Sequence, residues 1–156
     1  MSSENKLKET ISVLNSLIET SKDGQKGFSK AAGHAHAPEL RTLLESYAAD
    51  CEKSAAELQA CVINLGGTPE TSGTAAGALH RGWLNLKASM SGDDDLALLE
   101  ECERGEDHAK AEYIKAMQAP MSGEVRDLLQ RQCDGAKVHH DRIRELRNQH
   151  REAETI

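Results

Sequence analysis

The sequence predicts an all-α fold, a bundle of four long helices. Three observations carry this. The chain is 38% hydrophobic but only 3% aromatic, so its apolar mass is Leu, Ala, Ile and Val, which suits close-packed helices better than a β-sandwich. Four segments of roughly 25–30 residues, each about 40 Å long as a helix, carry apolar residues at three- and four-residue spacing. Pro38, Gly66-Gly67 and Pro120 interrupt the pattern where one segment should give way to the next.

The first segment, 4–33, keeps Leu7, Ile11, Leu14, Ile18, Ser21, Gln25, Phe28 and Ala32 on one face. Ser21 and Gln25 are its polar members. Gly24 and Gly27 fall inside the helix, each costing about 1 kcal/mol relative to alanine, which points to a close helix contact or a local distortion. Gly33 is the expected stop. Glu19 and Asp23 are expected on the solvated side. His34 and His36 flank an alanine in the following turn. That pair can chelate a metal but has no third ligand nearby, so it reads as an exposed connection.

The second segment, 39–65, has Leu40, Leu43, Leu44, Tyr47, Cys51, Ser54, Ala55, Leu58, Val62 and Leu65 inward. Asp50 and Glu57 sit at the edge of that stripe, and Glu52 points further out. A loop at 68–74 and a shorter helix, Ala75 to about Met90, should follow. The shorter helix holds the sole tryptophan, Trp83.

The third segment, about 94–118, opens on Asp93-Asp94-Asp95, negative charge at the positive end of a helix dipole. Its stripe of Leu96, Leu99, Glu103, Glu106, Lys110, Tyr113 and Met117 puts two carboxylates among apolar residues. That is costly unless something pairs with them. Lys110, one turn from Glu106, is one available partner. The fourth segment, roughly 123–150, is capped by Ser122. Its stripe is Val125, Leu128, Leu129, Gln132, Ala136, His139, Ile143 and Leu146, with His139 and His140 about 100° apart on either side of its centre.

Tight turns join the first helix to the second and the third to the fourth. The long connection at 66–93 can cross the length of the bundle, which is the single-crossover layout of ferritin-like folds. Residues 1–150 are expected to form one domain and 151–156 a polar tail. The net charge of −7 argues against a nucleic-acid or anionic-membrane surface. No apolar run is long enough to span a membrane, and Met-Ser-Ser-Glu-Asn-Lys lacks a signal-peptide core, so a cytoplasmic protein is expected. Cys51, Cys61, Cys102 and Cys133 form no Cys-x-x-Cys pair and read as core thiols. Soft-metal binding, as of copper(I), is the sharper alternative.

Several stretches resemble one family. They are Leu14 to Phe28, Ala56-Glu-Leu58 with Leu65-Gly-Gly67, Gly77-Ala-Leu-His-Arg-Gly-Trp83, Cys102-Glu-Arg-Gly-Glu-Asp107 and His140-Asp-Arg-Ile143. Together they are similar to a bacterial ferritin-like four-helix-bundle family catalogued as a domain of unknown function and common in proteobacteria. The resemblance implies a ferritin-like fold and no settled activity. Di-iron members of that fold place a Glu on each of two helices and Glu-x-x-His on the other two. Here Ala136 and Lys137 stand three residues before His139 and His140, the second helix has no His, and Ser21 and Gln25 occupy the Glu position of the first. The full ligand set is absent.

Two functions follow. The first is a non-enzymatic bundle with a structural, interaction or stress-related role, its inward polar groups pairing with one another. The second is a reduced metal site for iron, manganese or zinc, drawn from Glu103, Glu106, His140, His139 and Glu57. Association as a homodimer or higher homo-oligomer is expected, through the Gly24/Gly27 patch or the Trp83 helix.

Overall fold

The computed structural model describes residues 2–71, 83 and 95–154. Among these there are four helices and no strand: α1 (Ser3–His34), α2 (Pro38–Asn64), α3 (Asp95–Ala116) and α4 (Gly123–Glu154). The expected segments are therefore found to within a few residues, α4 running four residues past its expected end. The expected short helix at 75–90 lies outside the described residues apart from Trp83.

The ends follow from local chemistry. Ser2 caps α1 by accepting from the Asn5 N–H at 3.2 Å. Ser122 does the same for α4 at Val125, 3.3 Å. Gly66 closes α2 with φ +83°, a conformation open to glycine and strained for other residues. Gly33 is not a stop: α1 continues through it to His34. The chain turns later, where Pro38 enters the first turn of α2 and its neighbours are tied to α3.

That tie sets the topology. Ala37 precedes α2 without a side-chain cap of its own. The buried Asp95, first residue of α3, supplies one by accepting from His36 N at 2.8 Å and Ala37 N at 3.0 Å. The start of α3 thus sits beside the α1–α2 turn. At the opposite end Thr10 of α1 donates to Pro120 O, between α3 and α4, at 2.6 Å. The segment between α2 and α3 therefore joins opposite ends of the bundle. α2 and α3 run parallel to each other and antiparallel to α1 and α4.

Two apolar clusters fill the interior. One, at the α1–α2 turn, contains Phe28, Leu40, Leu44, Tyr47, Trp83, Leu98, Leu99, Cys102 and Ile143. The other contains Leu14, Leu17, Ile18, Leu58, Val62, Tyr113, Val125 and Leu129. A polar layer separates them and carries the site described below.

Trp83 explains the glycines. A Cβ built on Gly27 or on Gly105 would lie 2.5 Å from the indole ring, so the ring is wedged between α1 and α3 where only glycine fits. A Cβ on Gly24 would lie 3.0 Å from Cys51 Sγ, which is the close α1–α2 contact expected from the sequence. Gly24, Gly27 and Trp83 are all buried, so the Gly24/Gly27 patch packs within the chain; the rest of the expected Trp83 helix lies outside the described residues. Asp23, expected on the solvated side, is also buried, at 3% exposure.

Helix propensity and packing predict opposite signs for two substitutions. Gly27→Ala should destabilise the fold by about 1–3 kcal/mol through overpacking against Trp83. Gly135→Ala, where a Cβ meets nothing within 4 Å, should stabilise by up to about 1 kcal/mol. Urea unfolding of both variants checks this; stabilisation by Gly27→Ala would contradict the wedge.

Candidate functional site

The inward stripe of α3 is rotated from the expected one. Leu98, Leu99, Glu101, Cys102, Gly105, Glu106, Tyr113 and Ala116 are buried, whereas Leu96, Glu103, Lys110 and Met117 are half-buried. Glu106 keeps its interior place at 3% exposure. Glu103 instead leans to the α3–α4 edge, where Arg147 holds it in a short ion pair.

The expected single metal site accordingly divides in two. His139 and His140 leave α4 in different directions, as their offset requires. His139 turns into the polar layer, with Nδ1 3.8 Å from Glu106 Oε1 and Nε2 2.9 Å from Asp50 Oδ2 on α2. Its ring stacks on Tyr47 at 3.8 Å and meets Phe28 edge-on at 6.4 Å. The partner of Glu106 is therefore His139. Lys110, the alternative, makes its ion pair with Asp107 at 3.9 Å.

Burial pushes the Glu106 carboxyl up from its ordinary range, and His139 draws it only part of the way back. Burial pulls the His139 imidazole down, but Glu106 and Asp50 outweigh it and leave it above 6.5. The 3.8 Å approach is an ion-pair contact, longer than a hydrogen bond. Glu106 Oε2 has no hydrogen-bond partner among the described residues.

A cavity of about 180 Å³ opens beside Glu106. The other polar groups of its wall are linked to one another. The Ser21 hydroxyl faces the Tyr113 oxygen. Tyr113 donates to Gln132 Oε1 at 2.8 Å, and the Gln132 amide donates to Ser54 O and Glu57 Oε1, both at 3.2 Å. Glu57 also pairs with Arg131 at 3.0 Å. Burial raises the Glu57 carboxyl, but Arg131 and Gln132 outweigh it and hold it below its usual range. Glu57 lines the cavity without approaching Glu106 as a co-ligand.

The second site lies on the α3–α4 edge. Buried His140 places Nε2 2.8 Å from Asp107 Oδ1 and Nδ1 3.1 Å from Asp141 Oδ1. Glu103, Asp107 and His140 each offer a ligand atom within 4.8 Å of the others. Among the described residues no other group of three or more His, Cys, Asp or Glu converges this closely. The polar layer does not fit a two-metal centre: Asp50 is on the far nitrogen of His139, and Glu57 is held by Arg131. The α3–α4 edge fits one cation, which would have to draw Glu103 from Arg147.

The sequence reading missed Asp107 and Glu101. Asp107 lies one turn after Glu103, so four-residue spacing in Cys102-Glu-Arg-Gly-Glu-Asp107 could have found it. Glu101 is fully buried, with Oε2 held by Arg104 from the next turn; no apolar pattern points to it. The four cysteines are free thiols, and burial raises the pKa of each. Among the described residues no converging group of three or more His, Cys, Asp or Glu includes one of them. Cys102 and Cys133 are buried as core thiols, and Cys51 and Cys61 are half-buried. His34 and His36 are exposed, as expected of the turn.

Residues 9–119 match a protein family described as Domain of unknown function (DUF2383). The chain belongs to that family. The family segment contains α3 with Glu103, Glu106 and Asp107, and α2 with Asp50 and Glu57. It stops before α4, so His139, His140 and Arg147 lie beyond it. No curated protein matches the chain.

The proton balance of the polar layer gives a test. The folded state holds the His139 proton more tightly than the unfolded chain does. That contribution is fully present below about pH 6.5 and is lost as pH rises through the raised folded value. The raised Glu106 carboxyl acts in the same direction. Stability to urea should therefore fall as pH rises above about 6.5, and fall less in His139→Gln. A wild-type profile that is flat or rises above that pH would contradict the assignment.

Proposed function

We propose that the chain is a ferritin-like bundle with a non-enzymatic structural, interaction or stress-related role, without the two-metal centre of di-iron relatives. One observation carries this: the acids that would serve as ligands are already matched by basic side chains of the protein. Arg147 faces Glu103, Arg131 faces Glu57, and His139 lies between Glu106 and Asp50. A cation entering the polar layer would have to displace these contacts and would still find few converging donors. The ferritin-like kinship rests on the family resemblance, the four-helix layout and a second-to-third helix connection that joins opposite ends of the bundle.

Metal analysis of protein purified without chelator tests the reading, together with His139→Ala. The expected result is far less than one iron or manganese per chain. His139→Ala should lose about 3–5 kcal/mol of stability, the cost of stripping a buried charge of its partner. Near-stoichiometric iron or manganese that disappears in Glu106→Ala would overturn it.

One observation favours a second reading, a single divalent cation on Glu103, Asp107 and His140. Their ligand atoms converge within 4.8 Å, and carboxylate with imidazole suits manganese, iron or zinc. His140 would bind through the nitrogen facing Asp107, with Asp141 steadying the other as an outer partner. Calorimetric titration with Zn²⁺ and Mn²⁺ decides it. Saturable binding weakened about tenfold or more in Asp107→Asn supports this reading; no binding removes it.

A further inference from the structure

Glu103 has two claimants, and only one of them can hold it at a time. Resting on the single-cation reading above, we propose that Arg147 is a built-in competitor for that site: a divalent cation on Glu103, Asp107 and His140 displaces Arg147, and its release loosens the end of α4 from α3.

Exclusion comes from charge and geometry. Arg147 Nη1 contacts both oxygens of Glu103, and both side chains are largely shielded from water, at 17% and 13% exposure. The same carboxylate supplies one of three ligand atoms that lie within 4.8 Å of one another. A cation seated among them would stand beside the guanidinium, and like charges this close repel strongly where solvent screening is weak. Arg147 has a second acceptor within reach: its Nε and Nη2 lie 3.4 and 3.1 Å from Asn148 Oδ1. Two more basic side chains face the site, Lys110 at 3.9 Å from Asp107 and Arg144 at 3.5 Å from His140 Nε2. Those contacts are long, and neither engages both oxygens of a ligand, so they weaken binding without blocking it.

The competition acts in both directions. The apparent affinity for the cation is lowered in proportion to the fraction of molecules whose Glu103 is free. The cation in turn weakens the hold of Arg147 on Glu103 by the same factor. That second effect reaches α4. Past the buried Ile143, Leu146, Arg147 and His150 are only half-buried. Glu103–Arg147 ties this end of the helix to α3. The Glu100–Arg151 pair, one turn further out, is longer at 3.7 Å and more exposed. Losing Arg147 leaves His140 as the anchor, about two turns earlier. The last turns of α4 therefore open more readily in the cation-bound state and exchange their amide hydrogens faster.

The test is a calorimetric Zn²⁺ titration of the full chain, with hydrogen–deuterium exchange read by mass spectrometry with and without Zn²⁺. The binding event followed is the one that Asp107→Asn weakens. Arg147→Gln should bind Zn²⁺ about tenfold more tightly than wild type, the scale of one charge-assisted contact. Arg142→Gln is the control. It removes the same charge from the side of α4 that faces α2, where Arg142 pairs with Glu145 at 3.1 Å, and should leave the affinity nearly unchanged. In wild type Zn²⁺ should quicken exchange over residues 147–154; in Arg147→Gln exchange there should already be fast and respond little. No saturable binding by wild type or Arg147→Gln would overturn the single-cation reading and this proposal with it. Equal affinity in those two proteins, an equal gain in Arg142→Gln, or exchange at the end of α4 that Zn²⁺ leaves unchanged or slows in wild type would overturn the competition alone and leave the cation site standing. The wild-type exchange result keeps the test decisive if Arg147→Gln does not fold.

Discussion

Glu106 and His139 meet in the middle of the bundle, and through His139 that contact links α3 and α4 to α2. A carboxylate in an apolar interior is stable only if another group supplies compensating charge. His139 does so from α4. Its second nitrogen is committed to Asp50 on α2, and its ring is fixed by stacking on Tyr47. One imidazole thus connects three helices. Only one oxygen of Glu106 is engaged; the other is buried with no hydrogen-bond partner among the described residues.

The polar layer is tolerated because apolar clusters lie on both sides of it. The Phe28–Trp83–Leu99 cluster and the Leu14–Leu58–Leu129 cluster bury most of the large side chains, so the cost of the ionised middle is spread over a substantial core. Trp83 adds a constraint of its own: wedged between α1 and α3, it leaves no room for a Cβ at Gly27 or Gly105. Asp95 then fixes the order of the helices by capping the turn between α1 and α2 from the start of α3.

The helices were legible because each combines a sustained three- and four-residue period with a clear breaker. Pro38, Gly66 and Ser122 act where the sequence places them. Gly33 does not, because a glycine that can end a helix need not do so when the turn is held from elsewhere, here by Asp95. The site was legible only in part. Glu106, His139 and His140 were singled out correctly as inward polar groups. Their division into two sites was not, because a stripe read at 3.6 residues per turn leaves its centre uncertain by about one residue. That single step moves Glu103 from the interior to Arg147 and brings Gly105 inward against Trp83. Partners distant in sequence, such as Asp50 for His139, are set by helix pairing and have no local signature.

The protonation of His139 tests the central claim most directly. Side-chain ¹⁵N NMR on the metal-free protein, assigned with His139→Gln, reads both ring nitrogens across a pH titration. An imidazolium that persists above the ordinary histidine range, moves down in Glu106→Gln and is unaffected by chelator is the predicted result. A His139 that titrates at or below the ordinary value, or a ring nitrogen whose signal shows metal coordination in protein purified without chelator, would contradict the account.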